Sequence, residues 1–235
     1  MFNRKFTHMV SLNSLMGLIG LASTLMFGQS LAQPPAAMEP RHKNVFENNY
    51  LRILDVRIEP GDTTLFHRHF LPSAIVFFTT TKTGSQIRGG LPIPGQSAAG
   101  ETVFAGFGEK PIVHRVWNQD TVLYHVMDIE LISPGSLASA VQPDWPGLKL
   151  AWDEKNATAY KVNLVQNKRL PIFFEKVPAL LICISGPDLQ VTDTENKDRL
   201  KQLAPGKFIW VKPREKLIIK NQANADSKCI LIVLK

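Results

Sequence analysis

"GDTTLFHRHF" spans residues 61–70 and sets two histidines one residue apart, six and eight positions after Gly61. Side chains on a strand alternate faces, so His67 and His69 point one way and Arg68 the other. The pair is either part of a metal site or two polar residues on a strand. What decides is which other groups the fold brings to the same point.

Outward from this stretch the chain reads as strands. In "YLRILDVRIEPGD" (50–62), Leu54, Val56 and Ile58 share one face and Asp55, Arg57 and Glu59 the other. "SAIVFFTTT" (73–81) is a buried strand. "TVLYHVMDIELI" (121–132) alternates again, with Leu123, His125, Met127, Ile129 and Leu131 on one side. Turn signals at Pro60-Gly61-Asp62, Gly89-Gly90, Gly106 and Gly108 separate the runs, and no long amphipathic helix is evident. Short strands at regular spacing predict an all-β sandwich or barrel.

A third histidine, His114, stands in "VHRVWN" (113–118), four residues before Asn118. His67, His69 and His114 form a candidate three-nitrogen cap. Imidazole suits Zn, Cu, Fe and Ni. Three protein ligands with an open position mark a reactive site, because structural zinc sites are closed by four. The competing reading is a vestigial motif that holds water or an organic ligand. His125, Ser73 and Asn118 are the further pocket candidates, and His42, beside Arg41, is expected in solvent.

The second half weakly repeats the first. "LFHRHFLPSAIVFF" (65–78) lies over "PIFFEKVPALLICI" (171–184), with Pro72 on Pro178; "VHRVWNQD" (113–120) lies over "KLIIKNQA" (216–223), with Asn118 on Asn221. This alignment puts Phe173 and Glu175 on His67 and His69, and Leu217 on His114. Repeats of this size suggest duplicated domains.

These spacings resemble the two motifs of the cupins: a glycine, five residues and His-x-His, then a histidine, three residues and an asparagine. The resemblance is good over 44–132 and weak over 159–235. It implies two cupin-type jelly-roll β-barrels, a metal on His67, His69 and His114, and a second barrel that serves as scaffold. The sequence departs from the pattern at the first-motif glutamate, which falls near Ser73 or Ala74, and at Glu109 and Pro111. Three-histidine cupins that bind ferrous iron and metal-free cupins that bind small molecules both fit what remains. The metal expected is one divalent transition ion, with Fe(II), Zn, Mn, Cu and Ni not distinguished.

The chain has 235 residues, 44% apolar, and a formal charge of +7 without a basic stripe, which speaks against nucleic-acid binding. Residues 1–32 read as a secretory signal: Arg4 and Lys5, the apolar run "LMGLIGLASTLMFG" (15–28), then "SLA" before Gln33. The run is short for a membrane span, so a periplasmic or secreted mature protein is expected. The expected order is signal 1–32, leader 33–43, first barrel 44–132, connector 133–158 and second barrel 159–235. Cys183 and Cys229 follow the signal, and an exported protein meets oxidising conditions. The resemblance puts them on neighbouring strands, which implies a disulfide. A small-molecule ligand or substrate is the expected partner; a homodimer is left open. Three functions fit: a metal-dependent oxygenase or related small-molecule enzyme, a non-catalytic binding module, or a structural barrel. A fold alone does not choose among them.

Overall fold

The structure, a computed structural model, describes residues 33–133, 145–195 and 200–235. The expected signal, 1–32, lies outside the described residues. Nine strands make the first half: β1 (His42–Glu47), β2 (Leu51–Ile58), β3 (His67–His69), β4 (Ser73–Phe77), β5 (Thr81–Ile87), β6 (Ile93–Ser97), β7 (Thr102–Ala105), β8 (Ile112–Asn118) and β9 (Tyr124–Leu131). The second half has β10 (Leu148–Asp153), β11 (Ala157–Leu164), β12 (Arg169–Ile172), β13 (Ala179–Ser185), β14 (Leu189–Asp193), β15 (Leu200–Leu203), β16 (Phe208–Val211), β17 (Leu217–Lys220) and β18 (Ser227–Leu234). Among the described residues no helix is long and apolar enough to cross a membrane.

The duplication is complete in topology. One barrel pairs sheets β1-β2-β9-β4-β7 and β3-β8-β5-β6; the other pairs β10-β11-β18-β13-β16 and β12-β17-β14-β15. Each order maps onto its counterpart strand for strand. Even the irregularity recurs: β1 slips against β2 between Asn44 and Phe46, and β10 slips against β11 between Leu150 and Trp152. The two-barrel, all-β expectation therefore holds.

Three apolar clusters explain the strand sequences. Leu54, Val56, Ile58 and Val126 face the interior of the first barrel. Tyr160, Leu181, Cys183, Val191, Ile219 and Leu231 belong to the cluster that fills the second. Between the barrels the two five-stranded sheets meet, and Ile53, Ile129, Leu180, Ile182 and Ile232, each fully buried, join from both sides. Burying one such side chain is worth about 1.5–3 kcal/mol, so this contact fastens the barrels firmly. It also corrects the reading of β9. Met127, Ile129 and Leu131 face the other barrel, and the barrel interior is on the opposite face, with Val126 and Asp128. Strands β4 and β13 are buried on both faces, which is why they read as unbroken apolar runs.

Two expected boundaries shift. The leader 33–43 is part of the first barrel: Ala36 is buried, the Arg68 N–H donates to the Pro34 carbonyl, and β1 begins at His42. The connector 133–158 contains β10, the outer strand of the second barrel. Both strands pair along only one side, and their polar residues at exposed positions hid them from a search for apolar periodicity.

Candidate metal centre

Strand β3 pairs antiparallel with β8, and His67 stands directly opposite His114. Cross-strand partners share a face, so His67, His69 and His114 all point inward. Their ring centroids lie 4.8 to 4.9 Å apart. The structure thus brings together the three histidines singled out from sequence.

A fourth joins them. His42, at the head of β1, is buried, and its ring centroid is 4.6 Å from that of His67 and 6.3 Å from that of His69. The ligand atoms of His42, His67 and His69 all lie within 4.8 Å of one another, close enough to share one metal ion. The expectation of a solvent-exposed His42 is therefore corrected. The short turn Ala36–Met38 folds the chain back across the barrel and carries Glu39 and His42 inward.

Hydrogen bonds orient the rings. His67 Nδ1 is 2.8 Å from the Leu65 carbonyl oxygen. A carbonyl only accepts, so Nδ1 carries the proton and Nε2 presents its lone pair. That Nε2 lies 3.1 Å from His69 Nε2. His42 Nδ1 is 2.8 Å from Glu39 Oε2, and His69 Nδ1 is 3.4 Å from Asp128 Oδ2. His42, His67 and His69 thus each have an oxygen near Nδ1, the usual outer-shell arrangement of metal-binding histidines.

Electrostatics keep the nitrogens available. Burial, reinforced by neighbouring imidazoles, pushes His67 down to about 4, His69 to about 2 and His114 to about 3. All three are neutral at pH 7, as ligation requires. Burial would raise the Glu39 carboxyl, but hydrogen bonds from His42 and the Leu65 and Arg41 N–H groups hold it below its usual range. Asp128 is fully enclosed; burial and then the charge of Glu130 push it up to about 7.

Among the described residues, three buried side-chain atoms lack a close hydrogen bond: His69 Nδ1 and the two carboxylate oxygens of Asp128, whose nearest polar neighbour besides His69 is the Ser73 hydroxyl. Buried polar groups are rarely left so. A divalent cation between the inward-facing Nε2 atoms would account for His69 Nδ1 and for the Asp128 Oδ2 that faces it. It would fix the His69 proton on Nδ1, aimed at an ionised Asp128. The donor set fits a borderline divalent transition metal. His69, Asp128 and Glu130 form a second cluster of close ligand atoms, but Glu130 is held by the Arg52 guanidinium at 2.7 Å.

The histidines open onto a cavity of about 190 Å³. Val56, Ile58, Ile75, Phe77, Val116 and Val126 line its wall; Thr64, Tyr124 and Asp128 are its polar groups besides histidine. Enclosure and the nearby Asp128 push the Tyr124 hydroxyl up to about 12, so it remains a proton donor at neutral pH.

Three expected pocket residues lie elsewhere. His125 faces the second barrel, with Nε2 2.6 Å from Asp55 and its ring stacked on Phe78. Its strand parity is that of Met127, opposite to Asp128. Asn118 is a turn residue: its amide donates to the Ile58 and Val122 carbonyls. Ser73 is buried, but its hydroxyl donates to the Leu71 carbonyl at 3.3 Å and it is not among the residues lining the cavity. The contributors missed from sequence are His42, Glu39 and Asp128. Asp128 carried a signal, as a lone carboxylate inside an apolar strand.

Among the described residues the second barrel has no counterpart of this site. Leu217 takes the place of His114, as expected. It pairs with Ile172, so Ile172, not Phe173, stands where His67 does, and Phe174 rather than Glu175 replaces His69. His67 lies five positions before Pro72, but Ile172 lies six before Pro178, and a one-residue shift exchanges the faces of a strand. Ile172, Phe174 and Leu217 are buried in the second core, while Phe173 is exposed.

No protein-family model matches this sequence, and no curated protein matches it. Solved structures do. AerE from Microcystis aeruginosa superposes with a TM-score of 0.56 at 13% identity, over 84% of this chain and 98% of that one. A cupin 2 conserved barrel domain protein from Leptotrichia buccalis gives 0.52 at 9% identity, over 82% and 87%. Oxalate decarboxylase OxdC from Bacillus subtilis, an enzyme with Mn(II) centres, gives 0.54 at 10% identity, over 81% and 74%. The fold of this chain is the cupin fold, in a two-barrel arrangement. At these identities the likeness concerns fold alone.

Proposed function

We propose that the first barrel binds one divalent transition metal through His67, His69 and His114 and acts on a small organic molecule, as a metal-dependent oxygenase or related enzyme. The observation that carries this reading is the convergence of neutral, inward-facing imidazoles in an apolar cavity that opens to solvent. A metal so held supplies a Lewis acid with positions open to substrate. The chain does the rest. The aliphatic wall excludes water, the ring of Phe107, 4.8 Å from that of His69, covers the metal side, and Asp128 and Tyr124 offer polar contacts to a bound molecule. At about 190 Å³ the cavity is smaller than the ~300–1,000 Å³ pockets that take drug-sized ligands, so a small organic substrate fits.

The missing carboxylate at Ser73 favours a second reading, a binding barrel without turnover. Export directed by residues 1–32 belongs to the same proposal, with cleavage before Gln33. The test is metal content of the purified protein, then dioxygen uptake and product analysis with small carboxylates, diketones and phenols. Turnover that requires metal and fails in His69→Ala supports the enzyme. Tight metal and ligand binding without turnover supports the second reading.

A further inference from the structure

We infer that His42 is a metal ligand, so that four imidazoles, one of them from the N-terminal strand β1, hold the ion. The inference rests on the metal-site reading above and extends it to a residue outside both motifs.

Two independent observations carry it. The first is local. His42 is buried against His67, its ligand atom is within 4.8 Å of those of His67 and His69, and Glu39 binds its Nδ1. With Nδ1 engaged by a carboxylate, Nε2 is the nitrogen left to face the cavity, which His42 lines. The second is the duplication. His42 pairs with Val56 as Leu148 pairs with Val162. Leu148 packs against the second core, and Trp145, three residues before it as Glu39 is before His42, does the same. The barrel that lacks the three motif histidines therefore also lacks the fourth and its carboxylate. All four positions changed character together, as expected of residues that share one ligand.

Four imidazole ligands without a direct carboxylate favour Ni(II), Cu(II), Zn(II) or Fe(II) over Mn(II) or Mg(II). The charge missing at Ser73 is supplied one shell out, by Glu39 and Asp128.

The experiment compares wild type, His42→Leu, His42→Gln and His67→Ala. Leucine is the residue the second barrel carries at this place, so the first variant suits the fold, and metal-free thermal midpoints verify folding. Cu(II) affinity is measured by chelator competition, and imidazoles are counted by pulsed EPR. Four imidazoles in wild type, three in both His42 variants, and an affinity loss beyond about 100-fold, the upper range for losing only an outer-shell partner, establish the ligand. Wild-type affinity and an unchanged count in both His42 variants, with binding lost in His67→Ala, overturn it while the metal site stands. A wild type that retains no metal overturns the metal-site reading and this inference together.

Discussion

Asn118 and Asn221 make the same three hydrogen bonds in the two barrels. Each amide donates to two carbonyls, Ile58 and Val122 in one barrel and Leu164 and Ala225 in the other. Each side-chain oxygen accepts from the N–H two residues on, that of Asp120 or Ala223. Both residues are buried. Replacing either with alanine strands one buried carbonyl, Ile58 or Leu164, at a cost of about 1–3 kcal/mol, while the second, Val122 or Ala225, lies on an exposed residue and can turn to water. Asn118→Ala and Asn221→Ala should lower the urea midpoint by similar amounts. A loss confined to Asn118→Ala would contradict a purely structural role for the pair.

Acid should destabilise the metal-free protein. His67, His69 and His114 titrate at about 4, about 2 and about 3 in the fold, each held down chiefly by burial, against about 6.5 when unfolded. Between these values the unfolded chain binds more protons, so stability falls as pH drops below about 6.5. Asp128 works the other way. Raised to about 7 by burial, it is protonated in the fold between about 4 and 7, where an unfolded aspartate is not. Its contribution therefore grows as pH falls through that window. Three groups outweigh one, so the urea midpoint should drop from pH 7 to pH 5. The drop should be steeper in Asp128→Asn and shallower in His67→Ile. Identical profiles in all three proteins would refute this account.

Cys183 and Cys229 are cross-strand partners of β13 and β18, buried in the second core as thiols. The Cys183 N–H and carbonyl bond to Lys207 and Gly206 on the far side, so the pair with Cys229 is of the non-hydrogen-bonded kind. Such pairs have Cα atoms about 4.5 Å apart, inside the range of about 4.4–6.8 Å for disulfides. Folding under oxidising conditions should bridge them and, by closing a loop of roughly 45 residues, stabilise by on the order of 4 kcal/mol in the chain-entropy model. Thiol titration of denatured, non-reduced protein from an oxidising compartment should find none; two free thiols would mean simple core packing.

Sequence alone reached the barrel architecture, the duplication and three of the four histidines, because these depend on local alternation and on fixed spacings. The rest depended on which face of a strand another barrel covers. Met127 and His125 alternate in step, and nothing in the chain tells whether their face meets the cavity or the second barrel. His42 was hidden because β1 is an edge strand with four exposed residues and no apolar rhythm. The replacements for His67 and His69 were misplaced because the second barrel has one residue more between this strand and Pro178 than the first has before Pro72, and an alignment anchored on the two prolines does not reveal it.

The central claim is a metal site in the first barrel. Its most direct test is metal per chain after reconstitution with Fe(II), Ni(II), Cu(II), Zn(II) or Mn(II) and gel filtration, for wild type and for His67→Ala/His69→Ala/His114→Ala. The account predicts close to one tightly held ion in wild type, as expected for a single convergent histidine cluster, and loss of that ion in the triple variant. Equal retention by the two proteins, or none by the wild type with any of the five metals, would contradict it.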